Sequence, residues 1–220
     1  MKRFAPVIAL VIAAVVLGAV NATIFAYRWM QATVNVAKST DARGAACVGF
    51  YSSAEQGAIP LPSAGTNNNA PTYGSSNEIT VKPGQIVCQW ESYKLYEGIT
   101  VNVPITVGSW YIRDFYGFGY YGTAASDPTV YVYIKVKTPI SSDSNIAEAK
   151  LILYKVTTTD ETGEKAAEVD LLTSETVSQP IELNPGNALQ LDLFINAIAA
   201  TTTVKFEVGF YVSQEREAPR

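Results

Sequence analysis

The chain has 220 residues, 48% hydrophobic and 16% charged, with a formal net charge of -4 and no histidine. That length suits one medium domain around a single core, the acidic balance opposes nucleic-acid binding, which needs a basic surface, and the lack of histidine removes the commonest metal ligand and general base. Val, Ile, Thr and Tyr recur, and apolar residues alternate with polar ones along most of the chain, so an all-β domain is expected.

Residues 1–22, MKRFAPVIALVIAAVVLGAVNA, set two cations ahead of an uncharged apolar run and end with Val20 and Ala22 where signal peptidase needs small or short side chains. The pattern predicts a cleaved signal peptide, a mature start near Thr23, and a secreted product at the cell surface that meets the membrane only in transit. A retained helix is the alternative, because the apolar run reaches Tyr27 and is long enough to span a bilayer.

Residues 23–37 then read as a strand. Phe25, Tyr27 and Trp29 share one face, and Ile24, Ala26, Met30, Val34 and Val36 share the other, broken only by Arg28. A strand apolar on both faces belongs in the middle of a sheet or in a groove rather than at an exposed edge. Burying the aromatics is worth about 1.5–3 kcal/mol each, and ordering each residue costs about 1–2 kcal/mol. Insertion into its own chain and into a neighbour are therefore close in energy, and strand addition between chains is an established recognition mode. Repeated head to tail, such a contact does not close and gives a filament.

A β-domain spans residues 38–220. Cys47 and Cys88 are the only cysteines, and in an oxidising exterior they fit one disulfide, worth about 4 kcal/mol from the chain entropy of the closed loop. Two unpaired buried thiols are the alternative. Residues 53–78 are rich in Gly, Pro, Ser and Asn and read as a long surface loop inside that ring. Strand signals then recur as EITV, QIVCQWESYKLY, ITVNVPITV, TVYVYIKVKT, EAKLILYKVTT, AAEVDLLT, QPIEL, ALQLDLFINA and TVKFEVGFYVSQ. Nine or ten strands suit a two-sheet sandwich of jelly-roll or immunoglobulin-like kind. Pro83-Gly84 and Pro185-Gly186 predict type II turns between sheets, with each glycine left-handed. Residues 157–165 read as a hairpin tip in which Gly163 supplies the positive φ.

The tract WYIRDFYGFGYYG, residues 110–122, packs Trp110, Tyr111, Phe115, Tyr116, Phe118, Tyr120 and Tyr121 among glycines. These side chains could form a sugar-stacking platform or a lateral contact between protein surfaces. Equally, Gly117, Gly119 and Gly122 could make a turn whose aromatics fill one end of the core. No HExxH, nucleophile elbow or Ser-His-Asp set occurs, and Asp160, Glu161 and Glu164 fall in a polar turn. No catalytic residue, metal site or cofactor is expected, and the expected class is not an enzyme.

The apolar leader ending in small residues, TIFAYRW after it, the Pro-Gly segments VKPGQIVCQW and IELNPGNALQLDLFI, and the last strand TVKFEVGFYVSQ together, in that order, resemble the TasA/camelysin family of matrix-fibre proteins. Their archaeal relatives, the bundling pili, are the most similar. The resemblance implies a secreted jelly-roll sandwich that polymerises by donor-strand complementation, with residues 23–37 of one subunit filling a groove in the next, in biofilm fibres that bundle laterally. The metalloprotease attribution of camelysin-like proteins does not transfer to a chain without histidine. RFAPVIALVIAAVV also resembles the start of archaeal type IV pilins, which implies cleavage near Phe4, an apolar helix in the filament core that IFAYRWMQATVNVAKST continues, and a β-domain as pilus head. A monomeric, secreted carbohydrate-binding or adhesion sandwich is the remaining alternative.

Overall fold

A computed structural model describes residues 47–67, 80–103, 106–122, 127–141, 144–173, 179–199 and 204–217. The leader and the expected donor strand, with Ile24, Phe25, Tyr27, Trp29, Met30, Val34 and Val36, lie outside them.

The described residues form β1 (Cys47–Tyr51), α1 (Ser53–Gln56), β2 (Thr80–Pro83), β3 (Ile86–Trp90), β4 (Tyr93–Tyr96), β5 (Ile99–Asn102), β6 (Gly108–Tyr121), β7 (Val130–Thr138), β8 (Ile146–Thr157), β9 (Asp160–Asp170), β10 (Ile181–Leu183), β11 (Ala188–Ala197) and β12 (Glu207–Ser213). The fold is all-β apart from one short helix. A seven-stranded sheet runs β3-β4-β1-β6-β11-β8-β9, a three-stranded sheet β10-β7-β12, and a two-stranded sheet β2-β5. All pairings are antiparallel.

Period-two patterning makes the core. Val130, Val132, Ile134 and Val136 of β7 face inward with Ile181 and Leu183 of β10, against Ile112 and Phe118 of β6, Leu191 and Leu193 of β11, and Leu151 and Leu153 of β8. The large and the three-stranded sheet therefore share one core. Val81, Ile99 and Val101 of the β2-β5 ribbon pack on the same core from half-buried positions.

The ribbon is longer than its sheets suggest. Past the β2-β5 ladder, Gly84 N–H donates to Gly98 O at 2.8 Å and Glu97 N–H to Gln85 O at 2.9 Å, after which β3 pairs with β4. Residues 80–102 are thus one hairpin whose tip belongs to the seven-stranded sheet and whose base belongs to the opposite layer. This corrects two expectations. QIVCQWESYKLY is two strands around a turn in which Glu91 has a positive φ of 51, and Gly84 is not left-handed but lies where the hairpin bends. Gly186, with φ 83, does occupy the expected turn between β10 and β11. Gly163 is left-handed at φ 69, but it lies in β9 at a slip of the β8-β9 register, beyond the tip at residues 158–159.

The tract at 110–122 is no turn. It is most of β6, the long strand paired with both β1 and β11. Its glycines serve close approach: a Cβ on Gly117 would lie 2.7 Å from Ala64 Cβ, and one on Gly119 would lie 2.7 Å from Tyr51 Cε1 and from Leu61 Cδ1. The space holds residues 53–67, which cover this half of the large sheet's outer face with a second small core containing Tyr51, Leu61, Ala64, Cys88 of β3 and Leu95 of β4. The first part of the expected surface loop is therefore packed structure, because its apolar Leu61 and Ala64 meet glycine-lined strands. Ser52 caps α1 and donates to Gly65 O at 2.7 Å, and Gln56 exchanges two hydrogen bonds with the Lys94 backbone.

Two buried carboxylates fasten that cover. The β6-β11 register slips between Leu191 and Leu193, and Asp114 takes φ 50 there. Its carboxylate accepts from the N–H groups of Gly65 and Thr66 at 2.7 and 3.0 Å, and its own N–H donates to Asp192 Oδ1 at 2.6 Å. Asp192 also accepts from the Tyr111 hydroxyl, yet burial holds its carboxyl above the usual range. Cys47 and Cys88 are disulfide-bonded, with Cα atoms 5.6 Å apart, joining β1 to the folded-over hairpin.

Candidate functional site

The layer opposite the seven-stranded sheet is broken. Among the described residues β12 pairs with β7 alone, and β2 and β5 pair only with each other. One edge of β12 and the outer edges of the ribbon therefore carry backbone N–H and C=O groups without ladder partners, the feature that makes an edge strand receptive to another chain.

The side chains beside this break are apolar. Val208, Phe210 and Val212 alternate onto the inward face of β12: the first two are half-buried against the core, and Val212 is 41% exposed. The Phe210 ring sits 5.0 Å from that of Phe50 on β1 and 4.9 Å from that of Phe118 on β6, and those two rings are 4.9 Å apart. Phe50 and Phe118 are themselves 7% and 3% exposed. An aromatic triad thus ties β12 to β1 and β6 through the core, and Val81, Ile99 and Val101 of the ribbon pack on the same core. A strand added along β12 would gain ladder hydrogen bonds at about 0.5–1.5 kcal/mol each and would extend the layer over apolar surface.

The aromatic tract is distributed differently from a surface patch. Phe115, Tyr116, Phe118 and Tyr120 are between 0 and 5% exposed, so the lateral contact expected of them is excluded by burial in the core. Trp110 is half-buried and donates from its indole to Thr106 O at 2.6 Å. Tyr111, 48% exposed, is the one open aromatic of the tract. Tyr121 is half-buried and stacks on Trp90 with ring centroids 3.8 Å apart. The donor-strand residues fall outside the described region.

The β12 residues Val208, Phe210 and Val212 are visible in the sequence only as an alternating strand. That β12 borders a break depends on the sheet order, which local patterning does not carry.

Elsewhere, a cleft of about 480 Å³ between β9 and β10 is lined by Lys155, Lys165, Glu164, Glu168 and Glu182, with Ile181. Glu168 bridges Lys165 and, outside the cleft, Lys150, whose hydrogen bonds hold its carboxyl below the usual range. No group of three or more acidic or cysteine side chains able to hold a metal occurs among the described residues, and none of their helices is long and apolar enough to cross a membrane. No family model matches the chain, and no curated protein matches it.

Proposed function

We propose that this chain is the structural subunit of an extracellular filament and polymerises head to tail by strand exchange. The observation that carries the reading is the edge of β12 that no described strand pairs with, where half-buried Phe210 packs on Phe50 and Phe118. The occupant is residues 23–37 of a second copy, whose apolar faces suit a position between a core and a neighbouring layer. In this reading the sandwich is of jelly-roll kind with one strand supplied in trans, the leader is removed at Ala22, and the product is secreted without catalytic function.

N-terminal sequencing of the exported protein tests the first step: a start at Thr23 is expected, and a start near Phe4 would contradict strand exchange. Deletion of residues 23–37 tests the second. The shortened chain is expected to stay monomeric and to bind a synthetic peptide of those residues. Polymers that still form without the segment would overturn the reading.

A further inference from the structure

We infer that the uncovered half of the seven-stranded sheet's outer face is a stacking site for a neutral sugar chain, with the ring of Tyr111 as its platform. The site stands independently of strand exchange.

Alternation fixes the face. Ile112, Leu193, Ile195, Leu151 and Leu153 point into the shared core, so Tyr111 of β6, Phe194 of β11, and Lys150 and Tyr154 of β8 point outward. Tyr111 pairs with Phe194, and Phe194 with Lys150, which sets the two aromatic side chains beside each other on neighbouring strands. The cover formed by residues 53–67 reaches Gln190 of β11, whose side-chain amide donates to Ser63 O at 3.1 Å, and Phe194 lies beyond it along the strand.

The Tyr111 side chain lies across the sheet rather than projecting from it. Its hydroxyl donates to Asp192 of β11 and, with its one proton so used, accepts from the Tyr154 hydroxyl of β8 at 3.3 Å. β8 stands two strands from β6 in the order β6-β11-β8, about 9–10 Å away at the usual spacing. A side chain rooted on β6 whose tip meets groups of both β11 and β8 passes over β11, where Asp192 is buried while Tyr111 stays 48% exposed. A ring in that pose, held at its tip by two hydrogen bonds, offers solvent a fixed apolar surface.

The surroundings of the ring name the ligand. Lys150 bridges Glu148 and Glu168 at 2.6 and 3.0 Å. On the strand of Tyr111 itself, exposed Arg113 stands near enough that its charge opposes the rise that burial gives the Asp192 carboxyl. Cations and carboxylates are thus matched around the platform, which gives a charged ligand no advantage. A protein partner would have to strip water from those ion pairs, and the centres of protein interfaces are depleted in such residues. A sugar needs only the ring: the C–H face of a hexopyranose is apolar, and its equatorial hydroxyls reach outward to polar groups such as Arg113, Lys150 and half-buried Asn196.

Calorimetry on the full chain with cellohexaose tests the site, with polygalacturonate as the charged control. Saturable binding of cellohexaose is expected, and none of polygalacturonate. Tyr111→Ala is expected to weaken binding about tenfold or more, and Tyr111→Phe, which keeps the ring but frees its tip, about threefold. Arg113→Ala, at an exposed position, is expected to cost about threefold with an unchanged melting midpoint, so it reports on the site even where Tyr111→Ala disturbs the fold. Any of three results overturns the proposal: no binding of cellohexaose by the parent, tighter binding of polygalacturonate, or parental affinity in every folded variant. A parent that binds no sugar, but whose self-association measured by light scattering falls with Tyr111→Ala, would make the ring a contact between copies instead.

Discussion

The two layers of this protein treat their apolar surface in opposite ways. The seven-stranded sheet is covered on its inner face by the shared core and on half of its outer face by residues 53–67, which fit because Gly117 and Gly119 clear the way. The remaining strands, a three-stranded sheet and a separate ribbon, do not close into one sheet, and Val208 and Phe210 of β12 stay half-buried. A sheet closed by its own chain needs nothing from outside. In the proposed reading, the layer that ends in an unpaired edge is completed by a second copy.

Substituting the same residue type in each layer is the sharpest way to break that contrast. Phe118→Ala, in the closed sheet, is expected to cost the monomer about 3–5 kcal/mol, read by denaturant unfolding. Reduction of the Cys47–Cys88 bridge, which closes a separation of 41 residues, is expected to cost about 4 kcal/mol from loop entropy, seen as a lower midpoint with dithiothreitol. Gly117→Val would drive a side chain into Ala64 and Tyr51 and is expected to cost about 1–3 kcal/mol. Phe210→Ala, on the open layer, is expected to cost the monomer less than half of what Phe118→Ala does, while weakening peptide binding and polymer growth. Equal monomer losses at Phe118 and Phe210 would remove the distinction between the layers.

The smallest effect is on pH dependence. Burial raises the Asp192 carboxyl, so its protonated form is favoured in the folded chain. Its stabilising contribution is full below the ordinary aspartate value and is lost as pH rises through the raised one. Asp192→Asn should therefore flatten the melting midpoint between acid and neutral pH. The gap between parent and variant is expected to be widest at neutrality and to close on acidification, and a gap that widens in acid would contradict the assignment.

The same contrast explains what could be read from the sequence. β7, β8, β11 and β12 alternate apolar with polar or smaller residues in sequence, and ALQLDLFINA matches β11 residue for residue even though Gln190 and Asp192, its polar positions, are themselves buried. β1 and β6 escaped, although they are adjacent central strands. Studded with glycines, and in β6 buried on both faces from Asp114 to Tyr120, CVGFY and DFYGFGYY have no exposed polar side to reveal a period of two. The cysteine pair was legible from composition, whereas the break beside β12 arises from which strands fail to meet, and no local pattern encodes that.

An image of the assembled polymer at side-chain resolution tests the central claim most directly. The account predicts that residues 24–36 of each subunit lie as an extended strand hydrogen-bonded to β12 of the next, above Phe50, Phe118 and Phe210. Residues 4–36 packed instead as a continuous helix along the filament axis, with the edge of β12 left unpaired, would contradict it.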